Sequence, residues 1–228
     1  MTQHDSLSKR LNEKEKDAQG RYAFVNINRS FQWLDLSWET KADPLCKILL
    51  AKAHVLCHDV NSQSKDSNHV DVVVGSSTGD ILWWEAISQK YARINKNGGV
   101  NGSPVSHIKW VPGSENLFLA AHMDGALVVY DKEKEDAAVL LTDETGAERN
   151  NNVFGGHEND DGNSRSNGLK VVKSVNSANQ KSNPVSYWGV SDHRVNAFEF
   201  SPDSRHLAVV SEDGCLRVID YLRERYFP

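Results

Sequence analysis

Short runs in which apolar and polar residues alternate follow one another from Arg21 onward. The segments RYAFVNIN and SFQWLDLSW show this pattern first, and both are rich in β-branched and aromatic residues. A two-residue period of this kind is typical of half-buried β-strands. No amphipathic helix of useful length follows, so the pattern predicts an all-β protein.

Three later segments share one layout, in which a glycine turn precedes an apolar strand that ends in an acidic residue. They are STGDILWWE, MDGALVVYD and EDGCLRVID. Alignment on the glycines brings together Gly79, Gly125 and Gly214, then Ile81, Leu127 and Leu216, then Trp84, Tyr130 and Ile219, then Glu85, Asp131 and Asp220. An apolar strand precedes each turn. Such self-similarity is the signature of a repeat architecture whose unit is strand, turn, strand, glycine turn, strand.

The repeated unit is predicted to form small sheets that are buried on both faces. In ILWW, LVVY and LRVI both alternating faces are largely apolar, which a sheet with one solvated face would not tolerate. Glycine supplies the backbone freedom of a tight turn, and an aspartate before it hydrogen-bonds the turn amides. We therefore assign structural roles at turns and strand ends to Gly79, Trp84, Glu85, Asp124, Gly125, Tyr130, Asp131, Asp213, Gly214, Ile219 and Asp220.

The spacing of the repeats predicts an insertion. Gly79 and Gly125 lie 46 positions apart, close to one repeat, whereas Gly125 and Gly214 lie 89 apart. A hidden repeat or an inserted loop would explain the gap, and the nine asparagines between positions 150 and 183 favour a loop that lacks a core. The predicted division is a polar disordered arm (1–20), N-terminal strands and first repeats (21–131), a polar Asn-rich disordered insert (132–183), and a further, truncated repeat (184–228).

Charge and cysteine content limit the classes of binding partner and the cellular compartment that the sequence predicts. The chain has 26 basic and 31 acidic residues, a net charge of −5, which argues against nucleic acid as the main partner. Three scattered cysteines suit a reducing compartment. No signal peptide and no apolar run of membrane-spanning length is present in the sequence. These features predict an intracellular protein of the cytoplasm or nucleus that does not bind membranes.

Candidate chemistry is sparse. His54, Cys57, His58 and Cys46 have the side chains of a zinc site, but on a strand the two histidines share one face while Cys57 lies on the other. The sequence contains no GxSxG nucleophile motif, and NKNGGVNGS lacks the lysine of a phosphate-binding loop. We predict no catalytic residue, no metal and no cofactor.

Longer blocks carry a family resemblance over about residues 20–221, interrupted by the insert. They are HVLCHDVN, SQKYARINKNG, GSENLFLAAHMDGALVVYDKEKEDA and NPVSYWGVSDHRVNAFEFSPDSRHLAVVSEDGCLRVIDY. With the repeat layout, they resemble the WD-repeat cofactors of ubiquitin-specific deubiquitinases. The resemblance implies a non-catalytic β-propeller scaffold that binds and stabilises or activates a CreB-type deubiquitinase in fungal carbon catabolite repression.

The Gly-His opening of a WD repeat is absent before Val105, which predicts that the buried hydrogen bonds of strong WD repeats are missing.

The length left for repeats predicts a partial propeller. Without arm and insert, on the order of 160 residues remain, enough for about three to four blades, whereas closed propellers have about four to eight. We therefore expect a truncated propeller with an unpaired face near Leu216 to Ile219.

Three alternatives for the function stay open: an adaptor of another ubiquitin or chromatin complex, an enzyme that uses Glu85, Asp131 and Asp220, and a non-functional truncated product. The residues of a partner interface are not identified at this stage.

Overall fold

A computed structural model describes residues 21–37, 43–137, 169–178 and 180–227. Its strands are β1 (Tyr22–Ile27), β2 (Ser30–Asp35), β3 (Cys46–Leu49), β4 (Val55–Val60), β5 (Asp71–Ser76), β6 (Ile81–Glu85), β7 (Tyr91–Ile94), β8 (Val105–Trp110), β9 (Leu117–His122), β10 (Ala126–Asp131), β11 (Lys170–Lys173), β12 (Ser186–Gly189), β13 (Val195–Phe200), β14 (His206–Ser211), β15 (Leu216–Asp220) and β16 (Arg225–Tyr226). One 3₁₀ turn, Lys96–Gly98, is the sole helical element of the described residues. None of these residues forms a helix with the length and apolarity needed to cross a membrane.

The strands form four small antiparallel sheets. Sheet 1 has the order β1-β2-β3, sheet 2 β4-β5-β6-β7, sheet 3 β8-β9-β10-β12-β11, and sheet 4 β13-β14-β15-β16. Sheets 2, 3 and 4 each contain one of the three repeats, and sheet 1 is a further, three-stranded unit. The fold is therefore all-β, a partial WD-type propeller of four blades, as the repeat pattern predicts.

The segment between the second and third repeats completes sheet 3 and adds no separate sheet among the described residues. Strand β12 pairs with β10, and β11 pairs with the outer edge of β12. Strand β11 falls within the range 132–183 predicted as an insert, and β12 falls within the range 184–228 predicted as a further repeat. Residues 138–168 of the predicted insert, and the predicted arm 1–20, lie outside the described residues.

The four sheets lie in a row, and a hydrophobic cluster fills each of the three spaces between neighbours. Phe31, Trp33 and Trp84 belong to the cluster between sheets 1 and 2. Ile81 and Tyr130 belong to the cluster between sheets 2 and 3. The third cluster, between sheets 3 and 4, holds Leu127, Trp188, Phe198 and Ile219. Alternate residues of one strand therefore contact opposite neighbours, which explains why both faces of the repeated strands are apolar.

No cluster joins sheet 4 to sheet 1 among the residues that the structure describes, so the row is an open arc with two end faces. On sheet 4 the end face includes Leu216, which is 67 % exposed, and Val210, which is 39 % exposed. The unpaired face expected near Leu216 is present. Ile219, by contrast, points into the arc and is buried.

Candidate functional site

One edge of the arc consists of the tight turns that join the second and third strands of each repeat, and we call it the turn edge. Gly79, Gly125 and Gly214 occupy these turns with φ of 81°, 88° and 76°. Only glycine adopts such angles without strain. In sheet 1 the corresponding turn holds Asn28, with φ of 57°. Asparagine tolerates this left-handed conformation, so sheet 1 makes the same turn without a glycine.

The turns contact the linkers that lead into the next sheet. A Cβ atom on Gly125 would overlap the carbonyl oxygen of Ser191, and one on Gly79 would lie 2.5 Å from the carbonyl oxygen of Asn101. The same atom on Gly214 would meet nothing within 4 Å. The absence of a side chain is therefore a packing requirement at Gly79 and Gly125, where a following sheet is present.

Two buried asparagines fix the linker between sheets 2 and 3. The side-chain amide of Asn95 donates to the carbonyl oxygens of Gly79 (2.9 Å) and Asn101 (2.7 Å), and its oxygen accepts from the Val100 amide (2.7 Å). The Asn101 amide donates to the Asp124 carboxylate and to the Tyr187 hydroxyl, both at 2.9 Å. Burial raises the pKa of Tyr187, so its hydroxyl stays protonated.

The linker into sheet 4 is held by Asp213. Its carboxylate accepts hydrogen bonds from the Arg217 guanidinium (2.6 Å), the Ser191 hydroxyl (2.8 Å), the Ser211 hydroxyl (2.6 Å) and the Cys215 amide (2.9 Å). The Arg217 hydrogen bond, followed by the hydroxyl and amide donors, holds the pKa of Asp213 well below its usual range.

These contacts correct one expectation from the sequence. The missing Gly-His opening before Val105 predicted that the buried hydrogen bonds of strong WD repeats are absent. The structure shows that Asn101 and Ser191 donate from the linkers to Asp124 and Asp213 instead. The sequence signal was an asparagine or serine in the linker ahead of each sheet, 23 or 22 positions before the turn aspartate to which it donates.

A buried histidine lies beside the linker between sheets 2 and 3. His122 is fully buried, and its Nδ1 donates to the carbonyl oxygen of Ser103 at 2.8 Å. Its Nε2 has no hydrogen-bond partner. Burial lowers the pKa of His122, so the imidazole is neutral at physiological pH. Ser76 and Ser211 occupy this position in the other two repeats.

The opposite edge, which we call the strand-end edge, holds the three repeated acidic residues. Glu85 accepts hydrogen bonds from the amides of Val70 and Ile87 at 3.0 Å. Asp131 accepts from the Glu133 amide (3.0 Å) and Asp220 from the Arg223 amide (3.1 Å). Each carboxylate accepts from a backbone amide of the turn that follows its strand, and Glu85 also accepts from the Val70 amide ahead of β5.

A buried ion pair joins sheets 2 and 3 at this edge. The Asp71 carboxylate, which has no exposed surface, contacts Lys132 Nζ at 2.7 Å and His69 Nε2 at 2.9 Å. It also accepts from Trp83 Nε1 (2.8 Å) and Ser64 Oγ (2.9 Å). Burial alone would raise the pKa of Asp71, but these hydrogen bonds outweigh it and lower the pKa. The fully satisfied network fixes the two sheets relative to each other.

Several large aromatic residues lie in the core. Trp84, Trp110, Trp188 and Tyr130 are buried, and Trp83 is partly buried against the cluster of sheets 2 and 3.

An open cavity of about 1190 Å³ lies between sheets 1 and 2. Its lining mixes apolar and charged residues, among them Leu45, Ile48, Leu82, Trp84, Tyr91 and Arg93.

The residues considered for zinc point to separate partners. Cys57 Sγ lies 3.6 Å from the carbonyl oxygen of Val105, His58 Nδ1 bonds Asn26, and Cys46 Sγ lies 3.5 Å from Gln89. No group of three or more metal-ligating side chains occurs within the described residues. The buried carboxylates are occupied by turn amides and cations, so the arrangement described here supports packing and presentation of loops.

Comparison with known proteins identifies relatives of the chain. No protein-family model matches the chain. Over 204 residues, which are 89 % of the chain, it is 36 % identical to the UBP9-binding protein bun62 of Schizosaccharomyces pombe. The chain spans 36 % of the length of that relative.

Proposed function

We propose that this chain is a non-catalytic partner of a ubiquitin-specific deubiquitinase. The observation that carries the proposal is the 36 % identity to a protein named for binding UBP9, a ubiquitin-specific protease. The matched region corresponds to nearly the whole set of described sheets, so the likeness includes the packed arc and its edges. The finer proposal is a role like that of the fungal catabolite repression protein CreC, with a CreB-type enzyme as partner in the cytoplasm or nucleus.

The two edges supply the surface on which such a partner would bind. At the turn edge, Asn95, Asn101 and Asp213 hold the linkers by buried hydrogen bonds, so the loops there are fixed before binding. A preorganised surface loses little conformational entropy on association. If its contact is stronger with the active conformation of the enzyme, binding shifts the enzyme toward that conformation.

The test is co-purification of the chain with a CreB-type deubiquitinase, followed by hydrolysis of a fluorogenic ubiquitin substrate. We expect a stoichiometric complex, a higher rate for the complex than for the enzyme alone, and no hydrolysis by the chain alone. Ubiquitin cleavage by the chain would overturn the non-catalytic assignment. Failure to bind, with recovery of a ubiquitin ligase or chromatin complex instead, would favour the adaptor alternative.

Two surface variants locate the contact. Asp192→Lys changes an exposed residue of the turn edge, and Glu133→Lys changes an exposed residue of the strand-end edge. Neither residue belongs to a hydrophobic cluster, so both variants should keep the fold. We expect the turn-edge variant to weaken the complex more, because the linkers there are fixed by side-chain hydrogen bonds.

A further inference from the structure

The space between sheets 1 and 2 is closed around the central strands and open at strands β3 and β7. Phe31 and Trp33 contact Trp84 in the buried cluster. Ile48 of β3 and Leu82 of β6, by contrast, are only partly buried at the border of that cluster. The cavity of about 1190 Å³ lies here, and we call it the sheet 1–2 groove.

The other two spaces of the arc are filled by a tyrosine of the fourth strand of the following sheet. Between sheets 2 and 3, Tyr187 of β12 is 4 % exposed. Between sheets 3 and 4, Tyr226 of β16 packs against the cluster. Tyr91 of β7 has the register of Tyr226, because it lies opposite Trp84 as Tyr226 lies opposite Ile219.

Tyr91 nevertheless lines the groove and is 70 % exposed. Sheets 1 and 2 follow each other in the chain, so this space, unlike the two end faces of the arc, has both of its neighbouring sheets within the described residues. A tyrosine beside partly buried apolar side chains is typical of a binding surface, since tyrosine supplies a large contact area at a low cost in conformational entropy.

The polar groups at the turn-edge end of the groove offer positive charge. The Asp80 carboxylate is already occupied, because it accepts from Arg93 Nη2 (3.0 Å), the Asn97 amide (2.7 Å) and the Thr78 hydroxyl (3.2 Å). The hydrogen bonds of Arg93 to other described side chains all use Nη2, which leaves its remaining N–H groups as donors. Lys52 is exposed and forms no ion pair within the described part of the chain. The unused groups are therefore cationic donors, which complement a carboxylate.

We propose that the sheet 1–2 groove binds an extended segment of a partner protein in which apolar side chains accompany an aspartate or glutamate. In the complex, the apolar side chains pack on Ile48, Leu82 and Tyr91, and the carboxylate accepts hydrogen bonds from Arg93 and Lys52. The proposal concerns the chemistry of this segment and is independent of the deubiquitinase assignment.

The dimensions of the groove favour a peptide segment over a small molecule. Its volume of about 1190 Å³ exceeds the roughly 300–1,000 Å³ of typical small-molecule pockets. Strands β3 and β7, one on each side, have four residues each, or about 13 Å of extended chain. The groove therefore takes a segment of about four to six residues.

Selection from a phage-displayed library of random peptides on the full chain tests the proposal. We expect the enriched peptides to carry an aspartate or glutamate close to leucine, isoleucine or aromatic residues. A fluorescein-labelled copy of the most enriched peptide then gives a dissociation constant by fluorescence anisotropy. This constant should rise with ionic strength, because salt screens the contact between the carboxylate and the cations.

Three variants locate the peptide on the chain. Lys52→Glu and Tyr91→Ala should each weaken its binding about tenfold or more, since one reverses the charge that meets the carboxylate and the other removes an apolar contact. Lys181→Glu is the matched control, because it makes the same charge change at an exposed lysine outside the groove lining and should leave the affinity unchanged. Circular dichroism checks that each variant is folded.

A charge exchange separates loss of the contact from loss of the fold. The peptide whose acidic residue is replaced by lysine should bind the Lys52→Glu variant more tightly than it binds the parent chain. Enrichment of basic peptides would overturn the proposal, as would peptides that bind Lys52→Glu and Tyr91→Ala as tightly as the parent chain, or a selection that yields no peptide above background. Deubiquitinase binding is measured separately by co-purification, so the two proposals succeed or fail independently.

Discussion

Sheets 3 and 4 contain the same repeat, and they differ in what lies beyond their outer face. In sheet 3, Leu127 is covered by sheet 4, and the turn at Gly125 touches Ser191. In sheet 4, Leu216 is exposed, and the turn at Gly214 has open space around it. The comparison teaches that one local pattern has different energetic consequences according to its neighbours.

The largest difference is expected at the two turn glycines. Gly125→Ala should cost about 4 kcal/mol of unfolding free energy, because left-handed strain of about 1–2 kcal/mol adds to overlap with Ser191. Gly214→Ala carries only the strain and should cost about 1–2 kcal/mol. Urea unfolding of both variants checks this, and equal costs would show that the linker moves to make room.

A second difference should appear at the paired leucines. Leu127→Ala should destabilise the chain by about 3 kcal/mol, because it leaves a cavity between two sheets. Leu216→Ala should change stability by about 0.5 kcal/mol or less, because the side chain is exposed. A large cost at Leu216 would mean that the side chain is covered in the folded protein.

The two linker donors offer a smaller contrast. Asn101→Ala removes the donor shared by Asp124 and Tyr187 and should cost about 2 kcal/mol. Ser191→Ala should cost about 0.5–1 kcal/mol, since Asp213 keeps Arg217, Ser211 and Cys215 as donors. Thermal unfolding at neutral pH compares them, with the reverse order as the contradicting outcome.

The smallest effect at neutral pH concerns His122, whose equivalent in sheet 4 is Ser211. Because burial lowers its pKa in the folded chain, the unfolded chain binds the proton more readily, and stability falls as the pH drops through about 6.5. His122→Ser should flatten that part of the stability profile relative to the parent chain. Urea unfolding between neutral and mildly acidic pH measures the slope.

The loss expected from Asp213 falls in a separate, more acidic window. Its pKa is lowered in the folded chain, so its contribution is present above about pH 4 and is lost as the pH falls below that value. The His122→Ser variant and the parent chain should share this acidic loss. A profile in which His122→Ser also removes it would contradict the assignment of the two windows.

Much of the fold could be predicted from the spacing of a few residues. Gly79, Gly125 and Gly214 mark turns because positive φ selects glycine strongly, and the alternation in ILWW and LVVY marks strands buried on both faces. Sheet 1 was not predicted as an equivalent unit, because Asn28 replaces the glycine and hides the repeat. Strand β11 was missed because its four residues, KVVK, carry too little pattern to stand out inside a polar segment.

The hydrogen-bonded linkers were also beyond the sequence. Asn101 and Asp124 are separated by 23 positions, and Asn101 and Tyr187 by 86. Local propensity carries no information on such contacts, because they arise only after the sheets have packed. Lys132 stands in the charged run DKEKED, whose pattern gives no sign of a buried partner, whereas the structure places its ammonium group against the buried Asp71 carboxylate.

By itself the sequence determined the strands, the turns and the apolar character of both faces of each repeat. These properties follow from residue size, polarity and backbone freedom. Only the tertiary structure decided which of these faces pack against another sheet of the chain. Val210 and Leu216 have the same apolar character as Ala121 and Leu127, yet one pair is exposed and the other is enclosed. Burial depends on the position of a sheet in the arc, and that position is a property of the whole fold.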